Sequence, residues 1–302
     1  MKLFRPVFLI LLIMILATTA GATELLIPGG QLIGLNLQDN TVCVAAFDPE
    51  LGAAAKSAGL KEGDRILRIG KTPITCAEDI RNALAHSDGK VDIAVLRGGK
   101  TATVSLCPAA TADGPRLGIY LKQGTAGVGT VTYYRPETGD FAALGHGVHT
   151  ASGQLLQLST GSVFDAHVMS VTKGTVGKAG QLVGNLSGSD PVGSVRKNTE
   201  RGIFGRLETP VAAEPLPVAD REEIRTGSAT ILSTVEGDGV QEYSVEILKI
   251  YPNANRRNRN MLLKVTDPKL LSTTGGIVQG MSGSPIIQDG KLVGAVTHVC
   301  VT

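Results

Sequence analysis

Short apolar stretches interrupted by glycine run through most of this sequence. Apolar or Val/Ile/Thr-rich segments such as QLIGLNL, TVCVAAF and KVDIAVLRGGKTATVSL are each interrupted or followed by Gly, Asn or Asp. The 302 residues include 38 glycines and no Trp. Glycine weakens helices and supplies turns. The pattern therefore favours many short strands over long helices, and the length allows about two domains.

The first domain is predicted over residues 26–108, where strands alternate with two short helices. An Ala-rich helix ends at Gly59, CAEDIRNALAHS has helical spacing, and KVDIAVLRGGKTATVSL predicts a hairpin. A linker and connecting strand follow over 109–123. From 124 to 302 the short strands and Gly, Asn and Asp turns predict an all-β barrel or sandwich.

The N-terminus, MKLFRPVFLILLIMILATTAGATE, has the composition of an export signal. Lys2 and Arg5 precede an apolar run from Val7 to Leu16, and small residues continue to Ala22. Residues 1–23 are therefore predicted to be a signal peptide or a retained membrane anchor, an alternative that the length of the run leaves open. We expect the rest of the chain to work outside the cytoplasm.

Charge and cysteine spacing argue against two other classes of function. The net charge is +2, with no long block of like charge, so nucleic acid is not an expected partner. No HExxH, HxxEH or clustered Cys/His pattern predicts a metal site, and no cofactor is expected. Export would permit a disulfide among Cys43, Cys76 and Cys107, but free thiols fit equally well, and Cys300 follows no pairing pattern.

The segment GIVQGMSGSPIIQDGKLVGAVTHV carries a candidate nucleophile. Acyl transfer by serine needs a hydroxyl on a tight turn, donors for the oxyanion and a base oriented by an acid. Ser282 supplies the hydroxyl, and the backbone N–H groups of Gly280 and Ser282 could supply the donors. Gly283 leaves space above the hydroxyl and Pro285 fixes the exit into the next strand. A plain hairpin turn has the same local composition.

The base and the acid are less sharply defined. His146 in FAALGHGVHT is flanked by glycines after an apolar strand, and His149 is the second choice. Asp267 follows the apolar strand of MLLKVTDPKLL and could orient the imidazole. The other candidates are His86, His167 and His298 for the base, and Asp140, Asp165 and Asp190 for the acid.

The phrase AGLKEGDRILRIGKTPI resembles a PDZ domain of the bacterial-protease type. Such domains bind an extended peptide as an added strand beside a turn whose N–H groups hold a terminal carboxylate. The resemblance implies that Leu32, Ile33, Gly34 and Leu35 form this turn, with a ligand peptide that could come from the same chain. A domain that only packs against its neighbour is the alternative.

The motifs FAALGHGV, LLKVTDPKLL and GGIVQGMSGSPIIQDGKLVGAVTHV, in that order behind a PDZ domain, resemble the stage IV sporulation protein B family of serine peptidases. The resemblance implies a chymotrypsin-like double β-barrel, with His146 as base, Asp267 as acid, Ser282 as nucleophile, and Gly280 and Ser282 as the oxyanion hole. Family members continue beyond THVCVT, so we expect the second barrel to lack its closing segment within these residues.

The same resemblance implies a biological role. Family members are secreted into the space between forespore and mother cell. There they cleave themselves and then a membrane-bound regulator of an intramembrane protease, which activates a sigma factor. An alternative class is a non-catalytic PDZ adaptor of the cell envelope with the barrel as a scaffold. A quality-control protease fits less well, since those enzymes carry PDZ domains after the catalytic domain.

Overall fold

A computed structural model describes residues 23–87, 89–150, 153–251 and 259–300. The predicted export segment lies, except for Thr23, outside these residues. No helix within the described ranges is long and apolar enough to span a membrane. The helices are α1 Ala53–Ser57, α2 Ala77–Ala85 and α3 Pro268–Thr274. The strands are β1 Leu25–Pro28, β2 Leu32–Phe47, β3 Arg65–Ile69, β4 Thr72–Pro73, β5 Val91–Arg97, β6 Lys100–Leu106, β7 Ala109–Thr111, β8 Gly114–Arg116, β9 Ile119–Tyr134, β10 Asp140–Ala143, β11 Leu158–Thr172, β12 Gln181–Leu186, β13 Gly193–Thr199, β14 Gly202–Leu207, β15 Leu216–Pro217, β16 Gly227–Ser233, β17 Gln241–Ile250, β18 Met261–Val265, β19 Pro285–Gln288 and β20 Lys291–Ala295.

A closed barrel forms from strands that lie far apart in the sequence. The order β9-β10-β14-β13-β11-β2 returns to its start because β2 also pairs with β9, from Leu32 opposite Thr130 to Leu37 opposite Thr125. Closure leaves no free edge, and alternate side chains fill the interior. The buried core includes Leu37, Val131 and Phe141.

The PDZ-type unit contains the second half of β2, strands β3 to β6, and helices α1 and α2. Its core packs Ile66, Ile93 and Leu84. Both helices and the β5–β6 hairpin, predicted from periodicity, are confirmed. Asp64 is buried in this unit and accepts hydrogen bonds from Arg97 Nε at 2.7 Å and Nη2 at 2.6 Å.

Two long strands belong to both units. The 16 residues of β2 begin in the barrel and end in the PDZ-type unit, and the 16 residues of β9 run alongside in the opposite direction. The PDZ domain predicted over 26–108 therefore includes Leu32–Leu37, which also forms a barrel strand. The physical reason is that barrel closure needs a partner for β9 and β11, which this segment provides.

The C-terminal part forms a second sheet, in the order β18-β17-β16-β19-β20. Its core includes Ile231, Tyr243 and Met281, each buried. β18 and β20 are the two edge strands of this sheet. Within the described residues they do not pair with each other, so the sheet does not close into a barrel. The described residues are thus mainly β, as predicted, and form one closed barrel and a second sheet whose edge strands β18 and β20 do not pair with each other.

Candidate active site

The predicted nucleophile lies on the turn before β19, where the second sheet meets the closed barrel. Gly280 and Gly283 have φ values of +99° and +103°, which only glycine adopts readily. The Ser282 side chain between them is half-buried. A tight turn that displays a serine was predicted from GMSGSP, and the structure contains such a turn.

Three consecutive peptide groups of this turn are held by hydrogen bonds to their carbonyl oxygens. Leu182 N donates to Gln279 O at 2.8 Å, Thr130 Oγ1 donates to Gly280 O at 2.7 Å, and Ser284 N donates to Met281 O at 3.0 Å. In a trans peptide the N–H points away from the C=O. The bonds at Gln279 and Met281 therefore turn the N–H groups of Gly280 and Ser282 the other way.

These two amides are the donors that the sequence predicted for an oxyanion hole. Among the described residues, no acceptor is bound to the N–H of Gly280 or to that of Ser282. A buried or half-buried N–H normally has a partner. Two such groups, one on the serine itself and one two residues before it, are therefore suited to hold a developing negative charge.

The serine turn is joined to the loop that carries His146 through Thr130 on β9. Thr130 N donates to Ser282 O at 3.1 Å, and Leu144 N donates to Thr130 O at 3.1 Å. A Cβ added at Gly283 would lie 2.0 Å from Thr130 O and 2.6 Å from Leu144 N. Only glycine allows this contact between the two loops.

The His146 loop leaves β10 through two left-handed residues. Leu144 has a φ of +70° and Gly145 one of +67°. A positive φ at a buried leucine is strained. Its side chain fills the space left by Gly129, where an added Cβ would meet Leu144 Cδ2 at 2.0 Å. These two left-handed residues turn the chain toward His146, which is half-buried.

The ring of His146 has two described contacts. Its Nδ1 lies 3.0 Å from Gly147 O, and because a carbonyl only accepts, Nδ1 carries the proton. In the neutral ring, Nε2 then has the lone pair that a general base needs. The ring of His298 lies against it, with centroids 5.8 Å apart and an angle of 47°.

Thr297 and His298 connect the serine and the histidine. Ser282 Oγ donates to Thr297 O at 3.3 Å, and His298 Nδ1 lies 2.8 Å from Thr297 Oγ1. Burial lowers the pKa of His298, and the positive Arg259 and the neighbouring His146 lower it further. The two loops therefore meet at this dipeptide, although no hydrogen bond joins Ser282 to His146 in the described structure.

Asp267 follows β18, the strand predicted before it, and lies at the start of α3, a helix that was not predicted. Its carboxylate accepts from Leu270 N at 2.9 Å and from Ser244 N at 3.3 Å, and these bonds, Leu270 first, lower its pKa. The described hydrogen bonds of Asp267 do not reach the imidazole of His146. Asp at the N-cap, Pro in the first turn and Gly275 at the end are ordinary helix signals that would have predicted α3.

The second-choice base, His149, has a carboxylate partner. Its Nε2 lies 3.4 Å from Glu200 Oε2, and its Nδ1 lies 3.1 Å from the same Gly147 oxygen that His146 contacts. Both side chains of the pair are more than a third exposed. Nothing in the sequence near Glu200 indicated this contact, because it depends on how the β13–β14 turn meets the His146 loop.

The other candidates lie at separate positions. His86 contacts Asn82 O on α2, and His167 contacts Ser187 Oγ. Asp140 lies between two arginines, Arg196 and Arg206. Asp165 pairs with Ile33 in the barrel, and Asp190 lines a small surface cavity.

The predicted peptide-binding turn at Leu32, Ile33, Gly34 and Leu35 is not a turn. These residues form the buried start of β2 and pair with β9 on one side, and all but Leu32 also pair with β11 on the other. Strand addition requires a free edge. This prediction is therefore corrected: barrel closure uses the edges that a ligand would need.

A groove of about 1890 Å³ runs along the second sheet and reaches Thr297 and His298, although neither Ser282 nor His146 lines it. It extends from Gly145 and His298 to the open side of the second sheet, where Met261, Ile286 and Val293 line it. Its charged lining is mainly basic, with Lys178, Arg201, Arg221, Arg259 and Lys264 against Glu222.

The described residues show neither a metal site nor a disulfide. The described residues contain no group of three or more His, Cys, Asp or Glu side chains that could hold a metal ion. Cys43, Cys76 and Cys107 form no disulfide. Burial raises the pKa of the Cys43 thiol, which keeps it protonated.

Comparison with known proteins gives two family matches. A model described as SpoIVB peptidase S55 matches residues 113–302, and one described as a PDZ domain matches residues 31–107. A protein of Rhizobium meliloti (strain 1021), named "Putative zinc metalloprotease", is 25% identical over 226 residues. That alignment covers 74% of this chain and 55% of the relative, so the chain spans about half the length of the curated relative it matches.

Proposed function

The chain belongs to the SpoIVB peptidase S55 family of serine peptidases and carries a PDZ domain, and from this premise we propose that it is an endopeptidase with Ser282 as nucleophile. The observation that carries the proposal is the serine turn. Its fixed peptide groups leave the N–H of Gly280 and that of Ser282 free to bind an oxyanion.

In the proposed reaction, Ser282 Oγ attacks the carbonyl carbon of a peptide bond. Nε2 of His146 takes the hydroxyl proton and then gives it to the leaving amine. Water hydrolyses the resulting acyl-enzyme by the same route in reverse. The negative oxygen of each tetrahedral intermediate accepts from the two free amides, and Thr297 O must release the hydroxyl when substrate enters the groove.

Asp267 is the proposed orienting acid, in line with the family resemblance of LLKVTDPKLL. Its lowered pKa means that it stays ionised at neutral pH, as this role requires. Because its described bonds go to Leu270 N and Ser244 N, the role requires a movement of α3 or of the His146 loop.

We also propose a biological role in sporulation signalling. By family resemblance the chain is exported, cleaves itself, and cleaves a membrane-bound regulator so that an intramembrane protease activates a sigma factor, in the space between forespore and mother cell. The basic, partly apolar groove supports peptide substrates with acidic and apolar side chains. The PDZ-type unit would bind a peptide, which could be part of this chain.

A second candidate function is a non-catalytic PDZ adaptor. The observation in its favour is that the carboxylate of Asp267 caps α3 instead of contacting His146. The zinc activity in the name of the Rhizobium meliloti protein is not part of either proposal, because no cluster of metal donors was found in the described part of this chain.

The test compares the full chain with its Ser282→Ala, His146→Ala and Asp267→Asn variants. We expect the unmodified chain to cleave itself, which intact-mass measurement detects. We also expect a fluorophosphonate to label it, and peptide mapping should place the label on Ser282. Loss of a triad member costs several powers of ten in rate. Equal self-cleavage by the unmodified chain and Ser282→Ala would refute the nucleophile and favour the adaptor. Undiminished activity of Asp267→Asn would reduce Asp267 to a helix cap.

A further inference from the structure

Thr130 is a fully buried threonine at the junction of the closed barrel and the serine turn. It lies 152 positions before Ser282, in a strand of the closed barrel, and no sequence motif points to it. Three of its polar groups bond across the junction. Its hydroxyl donates to Gly280 O, its N–H donates to Ser282 O, and its carbonyl accepts from Leu144 N.

We propose that Thr130 is a positioning residue of the oxyanion hole, because its side-chain hydroxyl fixes the peptide group between Gly280 and Met281. The inference rests on the proposed serine peptidase function. Thr130 does not touch the reacting atoms. It acts by holding the backbone that carries the two donor amides.

The geometry explains why a side chain is needed at this point. Gly280 has a φ of +99° and no Cβ, so the peptides on either side of it can rotate more easily than those of other residues. The peptide before Gly280 is held by Leu182 N at 2.8 Å, through a backbone bond that any residue could make. The peptide after Gly280 is held by the Thr130 hydroxyl, which donates to Gly280 O at 2.7 Å, and by Met281 N, which donates to Val278 O at 3.2 Å.

Rotation of the peptide before Gly280 would turn the Gln279 oxygen toward the site and the Gly280 N–H away from it. Rotation of the peptide after Gly280 would break its bond to Thr130 and would redirect the two donor peptides, which share their Cα atoms with it. A carbonyl beside a developing oxyanion repels it, whereas a fixed N–H stabilises it without reorganisation. The buried hydroxyl bond also costs little to maintain, since Thr130 has no access to water that could compete for it. The side chain therefore favours the catalytic arrangement before substrate arrives.

Two substitutions at this position separate the hydroxyl from the packing. Thr130→Val keeps nearly the same shape and removes the donor, while Thr130→Ser keeps the donor. Thr132→Val is the matched control, because Thr132 is a buried threonine on the same strand whose backbone oxygen bonds to Gly29 N. All variants are made in the full chain.

The assay is the rate of labelling by a fluorophosphonate as a function of probe concentration. Ser282 Oγ forms a bond to phosphorus, fluoride leaves with the P–F electron pair, and the proton passes to His146. The P–O⁻ group that develops on phosphorus tests the oxyanion hole. We expect Thr130→Val to lower the maximal labelling rate about 10- to 100-fold, a smaller loss than removal of an oxyanion donor causes. The probe concentration that gives half the maximal rate should stay within about threefold of that of the unmodified chain. Thr130→Ser and Thr132→Val should stay within about threefold of the unmodified chain.

Several results would overturn the inference. One is a Thr130→Val protein that labels at the unmodified rate, and another is a Thr132→Val protein that loses as much. Amide exchange at Leu144 provides a further check, because its N–H bonds to the backbone oxygen of Thr130. If that amide loses protection in Thr130→Val, the threonine only supports the fold. If the unmodified chain is labelled no faster than Ser282→Ala, the proposed peptidase function is refuted, and the inference about Thr130 is refuted with it.

Discussion

Replacement of Gly283 by alanine should uncouple the serine turn from the His146 loop. The added Cβ would lie 2.0 Å from Thr130 O and 2.6 Å from Leu144 N, both of them backbone atoms that cannot move aside cheaply. The φ of +103° is also unfavourable for alanine. Both effects act at the junction that holds the proposed active site together.

The magnitude follows from the bonds at this junction. Three hydrogen bonds would be weakened: Leu144 N to Thr130 O at 3.1 Å, Thr130 N to Ser282 O at 3.1 Å, and Gly283 N to Val296 O at 2.7 Å. At about 1 kcal/mol each they sum to about 3 kcal/mol. Backbone strain adds roughly 1–2 kcal/mol. We therefore expect a loss of about 4–5 kcal/mol in the free energy of unfolding.

Gly290→Ala is the matched control for the strain. Gly290 has a φ of +74°, but no atom lies within 4 Å of its added Cβ. It should lose only the roughly 1–2 kcal/mol of strain. Urea unfolding followed by far-UV circular dichroism, which suits a chain without Trp, measures both variants. A difference below about 1 kcal/mol between them would refute the reasoning from backbone contact.

Two further predictions concern charge. Asp64→Ala should lower the free energy of unfolding by about 3 kcal/mol, because it leaves Arg97 without its buried partner. This value is at the low end for buried pairs because Arg97 is one-third exposed. A urea midpoint equal to that of the unmodified chain would contradict the prediction. The lowered pKa of His298 means that the folded chain binds fewer protons than the unfolded chain as pH falls below the ordinary value of 6.5, so this group should reduce stability on acidification. His298→Phe should show a smaller loss of melting temperature between pH 7.5 and pH 5.5, and an identical loss would exclude His298 as a source.

Local patterns in the sequence were sufficient for the parts of the fold that depend on neighbouring residues. Both helices of the PDZ-type unit and the hairpin around Gly98 follow from periodicity and turn residues. The serine turn follows from the glycines on either side of Ser282, because a positive φ is a property of the local chain. The helix after Asp267 also depends on local signals, namely Asp at the N-cap, Pro in the first turn and Gly275 at the end.

Contacts between distant residues were decided only by the tertiary structure. The PDZ resemblance implied a peptide-binding turn at Leu32–Leu35, but closure of the barrel requires these residues as a strand between β9 and β11. The role of Thr130 depends on packing that brings β9 against the serine turn, 152 residues further along the chain. The contact of His298 with His146 likewise joins two loops. Sequence periodicity reports which face of a strand is apolar, but it carries no information about which strand completes a barrel or which buried hydroxyl meets a carbonyl.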